Sequence, residues 1–184
     1  MIKNNKVAIF IHPGFEEIEA ITIIDILRRA EIEIDLIALS DSLKVMGSHQ
    51  IEINTDYSCH NFIDNDYQGI IIPGGPGVNG LFENDFLIST IKKFNETQKM
   101  VAAICAAPQL LGKAGITVNK KITGYPGCNR FLDEAILNNK PYSIDENIIT
   151  GQSAGTAIKF ALTIVGYLKD QTISEKVAKA LVIN

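Results

Sequence analysis

Two periods of hydrophobicity alternate along this chain. KVAIFI (6–11), EIDLIAL (33–39), QGIIIP (68–73) and KMVAAIC (99–105) are short, mostly apolar runs rich in β-branched residues. Such runs predict strands buried on both faces. FEEIEAITIIDILRRA (15–30) between them is long enough for a helix, a second helix fits about 84–96, and a short one starts near 106. QIEIN (50–54) alternates apolar and polar, as a half-exposed strand or hairpin arm does, and KKITG and NIITG predict short strands closed by glycine. SAGTAIKFALTIVGYL (153–168) is a strongly apolar helix. TISEKVAKALV opens on a Thr172…Glu175 capping box and predicts a last helix to about 181. With no internal repeat, low-complexity tract or linker, residues 1–184 read as a single domain. Strands alternating with helices predict an α/β fold whose mostly parallel sheet is covered on both faces. Ligands of such sheets sit beyond the carboxyl ends of the strands. His12, Gly74–Gly75 and Cys105 each follow a predicted strand, which places all of them on that rim.

One carboxylate breaks the pattern. With 100° per residue from Phe15, Ile26, Ala30, Ile23, Leu27 and Ala20 gather on one side, and Glu17, Asp25, Arg28 and Arg29 on the other. Glu19 falls at about 40°, between Ile26 and Ala30, inside the apolar half. Glu16 also falls there, but in the first turn it serves to complement the helix dipole, and Glu17 has the same explanation. A carboxylate on a buried face must be paired, hydrogen-bonded or protonated. Either Glu19 reaches water at the stripe's edge or it faces the interior for a reason.

The totals exclude more than they assign. A net charge of −4, with 46% hydrophobic and 21% charged residues, describes an ordinary globular protein. It gives no electrostatic reason to bind nucleic acid or an anionic membrane. The first apolar run is too short for a signal peptide, and no stretch approaches the ~18 apolar residues of a membrane span. Three cysteines at scattered spacings suggest no disulfide framework and fit a reducing cytoplasm. No Cys or His pair has zinc-site spacing, so no metal is expected. His12, His49 and His60 read as loop or surface residues, with His12 able to line the rim.

Two local features concern chemistry. Gly75-Pro76-Gly77-Val78-Asn79-Gly80 formally matches a dinucleotide fingerprint, but 99–115 contains no acid to hold a ribose. The same residues suit an oxyanion-binding nest or a plain turn with glycines at positive φ. In VAAICAAPQ (101–109) a thiol stands among the smallest side chains. Cys105 is either a small core residue or a nucleophile on a tight strand-to-helix turn. Cys128, just after Tyr125-Pro126, offers a resolving thiol or an inert loop cysteine, and Cys59 reads as structural.

PGFEEIEA, IIIPGGPG, AAICAAP and TGQSAGTAIKFAL occur together, in the order seen in the ThiJ/PfpI superfamily. The chain resembles its DJ-one-like and YajL-like branch from about Lys6 to Ile183. The resemblance implies a flavodoxin-like three-layer α/β/α sandwich and a homodimer. It implies a nucleophile elbow at Cys105, a glutamate partner at Glu19, and an oxyanion and substrate site at Gly74, Gly75, Ala106 and Tyr125. It also implies cofactor-free conversion of glyoxal or methylglyoxal, or repair of early glycation adducts, with oxidative-stress sensing or chaperoning through Cys105 as the alternative. Protease-like members carry a histidine after the cysteine, where this chain has Ala106. Tyr125 stands before Pro126, where some DJ-one-like members have histidine. No matched histidine base remains, so peptidase activity is not expected. Arg28 and His49 are candidates for an anion site near a dimer contact.

Without histidine the thiol needs other help. A free cysteine is only about 3% thiolate at pH 7, and lowering its pKa to around 5.5 takes about 4 kcal/mol. A helix N-terminus contributes ~0.3–1 kcal/mol, about 2 at most. A protonated Glu19 donating to sulfur would supply the rest, whereas an ionised one would oppose it. The expectation is therefore one proton per pair near neutral pH, held on Glu19.

Overall fold

The computed structural model describes residues 6–183. β1 (Val7–Ile11) has every residue buried, as its continuous apolar run requires. α1 (Glu17–Arg29) follows and leads to β2 (Ile34–Ala38), which pairs with β1 in parallel, Val7 opposite Ile34. A small antiparallel hairpin comes next, β3 (Lys44–Met46) with β4 (Glu52–Asn54), and then the short edge strand β5 (Tyr57–Ser58). β6 (Gly69–Ile72), α2 (Asp85–Glu96), β7 (Met100–Ile104) and α3 (Pro108–Lys113) continue the alternation. β8 (Lys121–Ile122) pairs with β9 (Ile136–Leu137) outside the main sheet. β10 (Tyr142–Asp145) and β11 (Ile148–Gly151) precede α4 (Ala157–Leu168) and α5 (Gln171–Ala180).

The main sheet runs β10-β11-β7-β6-β1-β2-β5, parallel except for β10. Alternate residues of each strand feed two separate cores. Val7, Ile9 and Ile11 pack with Ile23 and Leu27 of α1 and with Phe160 and Ile164 of α4. Ala8 and Phe10 pack on the other face with Leu87, Ile91 and Phe94 of α2 and with Leu110 and Leu111 of α3. This is the expected three-layer, mostly parallel α/β/α sandwich. The chain leaves β1 towards β2 on one side and returns to β6 on the other. A crevice for ligands therefore opens where these directions part, at the carboxyl ends of β1, β6 and β7.

Three local expectations need correction. The last helix is capped by Asp170, whose side chain accepts from the Ile173 N–H at 2.9 Å, and Thr172 lies inside the helix rather than opening a capping box. Asp170, two residues earlier, competes better because its carboxylate suits the positive end of the helix. His12 is fully buried rather than a surface residue, with its ring nitrogens 3.2 Å from the carbonyl oxygens of Pro13 and Pro73. Burial pushes its pKa down. Glu17 is buried as well, although its helix position placed it on the solvated side.

Candidate active site

The Glu17 correction shows how the rim is built. The hairpin β3–β4 folds back over the first turn of α1, and Glu17 fills the turn that joins its strands. The Glu17 carboxylate accepts from the His49 backbone N–H at 2.5 Å and from the Ser48 hydroxyl at 3.0 Å, and lies 2.9 Å from His49 Nδ1. Burial opposes its ionisation, yet these donors hold its pKa at about 2. A helical wheel records where a residue points from its own axis and says nothing of a hairpin that later covers it.

Cys105 follows β7 directly and has φ 65°, an unfavourable angle for a side chain bearing Cβ. Two backbone hydrogen bonds fix this elbow. Cys105 N–H donates to Gly151 O at 3.0 Å, and its carbonyl accepts from Tyr125 N–H at 2.8 Å. The Ala106 and Gly75 N–H groups are directed at the sulfur. Gly74 must be glycine, because a Cβ there would lie 2.7 Å from Cys105 Cβ and 2.8 Å from Glu19 Oε2. Gly75 has φ 102° and begins a 3₁₀ stretch over Pro76–Leu81. Within that stretch Gly77 N–H donates to Gly14 O and Val78 N–H to Gly75 O. Those donors are spent inside the protein, so the glycine cluster does not form a phosphate cradle.

Glu19 is fully buried and its Oε2 accepts from Gly74 N–H at 2.8 Å. Its carboxyl and the Cys105 thiol stand close enough to shift one another's titration. Oε1 nevertheless has no partner of full hydrogen-bond geometry, so the contact with sulfur is loose. Burial is the main cause that pushes Glu19 up to about 7, against the nearby Cys105 thiol and the Gly74 N–H. Burial also raises the thiol, followed by the Glu19 charge, while the Ala106 and Gly75 N–H groups oppose the rise. A charged Glu19 thus opposes the thiolate, and only its neutral form leaves room for an anion on sulfur. The pair resists a second negative charge, as two neighbouring anions must in a site with few donors.

The Glu19 shift has a consequence for stability. Between its ordinary value of 4.5 and about 7, the folded chain binds a proton that the unfolded chain has released. The Glu19 contribution to stability therefore falls as pH rises across that window. The melting temperature of Glu19→Gln relative to wild type should be higher at pH 8 than at pH 5. Equal differences at the two pH values would show that Glu19 titrates normally.

Cys105, Gly75, Ala106 and Tyr125 line one pocket of about 310 Å³. Glu16 and Cys128 also line it. Of the residues expected at the substrate site, Gly75, Ala106 and Tyr125 share the pocket wall with Cys105, while Gly74 lies off that wall, packed against Cys105 and Glu19. Arg28 and His49 are not brought together within the chain. Arg28 lies in the last turn of α1 and His49 packs over its first, roughly 16 Å away along the helix. Glu16, Glu17 and His49 offer three donor atoms within 4.8 Å of one another, a metal-capable set that sequence spacing could not reveal. Here those donors bond among themselves, with His49 Nδ1 on Glu17.

A profile of the DJ-1/PfpI family matches residues 5–166. The chain belongs to the DJ-1/PfpI family. It is 30% identical to the "Glutathione-independent glyoxalase DJ-1" of Schizosaccharomyces pombe, over 96% of this chain and 97% of that one. The Drosophila melanogaster DJ-1beta crystal structure superposes with a TM-score of 0.92 at 31% identity, covering 97% of this chain and 98% of the other. Arabidopsis thaliana "Protein DJ-1 homolog B" is 34% identical over 87% of this chain, which spans 37% of that longer protein. Among the described residues no helix is long and apolar enough to cross a membrane.

Proposed function

We propose that this DJ-1/PfpI member is a cysteine-dependent, cofactor-free glyoxalase, or deglycase, acting on glyoxal, methylglyoxal or early glycation adducts. One observation carries this reading: a strained cysteine elbow faces two backbone N–H groups on one side and a buried carboxyl with a single donor on the other. A fully buried carboxylate normally collects several donors. With Gly74 N–H on Oε2 and no donor on Oε1, the neutral acid suits the site better, and Oε1 is the oxygen free to carry its proton. Near neutral pH the pair then holds one proton, which resides on Glu19 when sulfur attacks.

The Cys105 thiolate adds to the aldehyde carbon of methylglyoxal, and the new oxyanion is held by the Gly75 and Ala106 N–H groups. Glu19 protonates that oxygen, and its carboxylate then removes the hydrogen from the former aldehyde carbon. Returning this proton to the adjacent carbon, while the hydroxyl proton passes to the oxygen on that carbon, leaves a lactoyl thioester. Water hydrolyses the thioester, releasing lactate and the thiol. The Glu16 carboxylate on the pocket wall disfavours anionic ligands and favours a small neutral aldehyde. Purified protein should form lactate from methylglyoxal without glutathione, and Glu19→Gln should lower kcat by about 10²–10³-fold. Absence of lactate, or full activity in Glu19→Gln, would overturn the assignment. The same pocket-lining, half-buried sulfur favours a second reading as a peroxide sensor, which sulfinate formation without turnover would identify.

The two cores share one sheet, which supports treating residues 1–184 as one functional unit. We also propose that it works as a homodimer. Ile18 and Ile21 are 58% and 46% exposed on the outer face of α1, and Met46 and Ile51 of the neighbouring hairpin are similarly bare. An apolar patch around a helix suits a second copy better than water. Arg28 and His49 lie apart within the chain, so an anion site made of both needs a second copy. The double variant Ile18→Glu, Ile21→Glu should sediment at half the mass of the wild-type assembly. Equal masses would exclude this face.

A further inference from the structure

We propose that Cys105 and Cys128 form a reversible intramolecular disulfide that closes the pocket and guards the reactive thiol. The inference rests on the reading of Cys105 as the reactive cysteine and adds a regulatory partner to it. All three cysteines are free thiols, but two of them line the same cavity of about 310 Å³. Cys59 is not among its walls and instead packs against the core on the α2/α3 side.

Two successive backbone hydrogen bonds tie the thiols' main chains together. Tyr125 N–H donates to Cys105 O at 2.8 Å, and Cys128 N–H donates back to Tyr125 O at 2.9 Å. Cys128 therefore hangs from a four-residue turn whose first residue is fixed to the elbow itself. The turn is lightly packed. Tyr125 is half exposed, Gly127 has φ 88°, and a Cβ built on Gly127 would meet nothing within 4 Å. Both thiols stand on the wall of this one cavity, and a disulfide needs their Cβ atoms at about 3.8 Å. Closure is a movement of the lightly packed turn towards the elbow.

The thiols are chemically unequal. At Cys105 the Ala106 and Gly75 N–H groups face the sulfur and oppose the effect of burial and of Glu19, whereas at Cys128 no such donor opposes burial. A hydroperoxide therefore meets the Cys105 sulfur as nucleophile. The S–O bond forms and the O–O bond breaks, giving a sulfenic acid and releasing hydroxide or an alkoxide. Sulfur is oxidised by two electrons and the peroxide is reduced. The Cys128 thiolate then attacks the sulfenic sulfur. The S–S bond forms, the S–O bond breaks, and the oxygen leaves as water with the proton Cys128 has lost. A dithiol reductant reverses the product to two thiols. Without Cys128, a second peroxide would carry the sulfenic acid to the irreversible sulfinate.

The test compares wild type with Cys128→Ser after mild hydrogen peroxide treatment, read by intact mass and non-reducing peptide mapping. Wild type should lose two hydrogens, link its Cys105 and Cys128 peptides within one chain, and recover both thiols in dithiothreitol. Cys128→Ser should gain two oxygens at Cys105, with sulfinate at least about tenfold above the wild-type level. Equal sulfinate in both proteins, a cross-link between two chains, or no modification of wild type would each overturn the proposal. Lactate formation by the untreated preparation distinguishes that failure from failure of the catalytic reading.

Discussion

Replacing Cys105 with serine should lower methylglyoxal turnover by at least about 10³-fold, with the fold retained. Serine matches cysteine in shape, and the backbone bonds that hold the elbow, Cys105 N–H to Gly151 O and Tyr125 N–H to Cys105 O, do not involve the side chain. The φ of 65° is then imposed on serine as it was on cysteine. What changes is the nucleophile. A hydroxyl surrendering its proton to Glu19 would create a far more basic anion, and Glu19, held at about 7, is too weak a base to form it. The two N–H groups remain and still bind an oxyanion, but no adduct forms for them to stabilise. Steady-state lactate formation beside a thermal melt separates the two effects. Activity within tenfold of wild type would remove Cys105 from the mechanism.

Gly77→Ala should be the most damaging single methyl group in the rim. A Cβ on Gly77 would lie 1.9 Å from Pro13 O and 2.7 Å from His12 Nδ1, and both are fixed, one in backbone and one in a fully buried ring. Relief requires the 3₁₀ stretch to move off the Pro13–Gly14 loop and to break the Gly77 N–H bond to Gly14 O. Overpacking against soft side chains costs 1–3 kcal/mol, and against rigid backbone the upper end applies, about 3 kcal/mol. The melting temperature should drop by ~6–12 °C for a domain of this size. Turnover should fall too, because the same stretch starts at Gly75 and positions its N–H. Gly80→Ala is the control: a Cβ there meets nothing within 4 Å, so calorimetry should find it near wild type. Similar melts for the two variants would refute the steric argument.

Much of this arrangement was written in the chain. Continuous apolar runs located β1, β2, β6 and β7, since strands buried on both faces are mostly apolar, Asp35 of β2 being paired with Tyr67 and Lys6. Glu19 was marked as an intruder on the apolar side of α1 by spacing alone. Cys105 stood out for its small neighbours, and the structure gives their reason: Ala102, Ala103 and Ala107 are fully buried where sheet and helices meet. Other parts depended on contacts between distant segments. Glu17 looked solvated because the hairpin covering it begins 27 residues later, at Lys44. His12 looked like a loop residue because the carbonyl of Pro73 that meets its ring lies 61 residues away. Cys128 reaches the pocket through a turn fixed to Cys105 O, which periodicity cannot register.

The bond between residues 105 and 106 has a mechanical meaning. Cys105 leans on the interior shared by α1 and α4, while Ala106 leans on that shared by α2 and α3. The proposed nucleophile and the proposed oxyanion donor thus belong to opposite halves of the molecule, fastened at one link. Because tightly packed interiors pass displacements on instead of absorbing them, slippage of either helical layer would reset the gap between sulfur and N–H, making catalysis a gauge of how well the halves are seated.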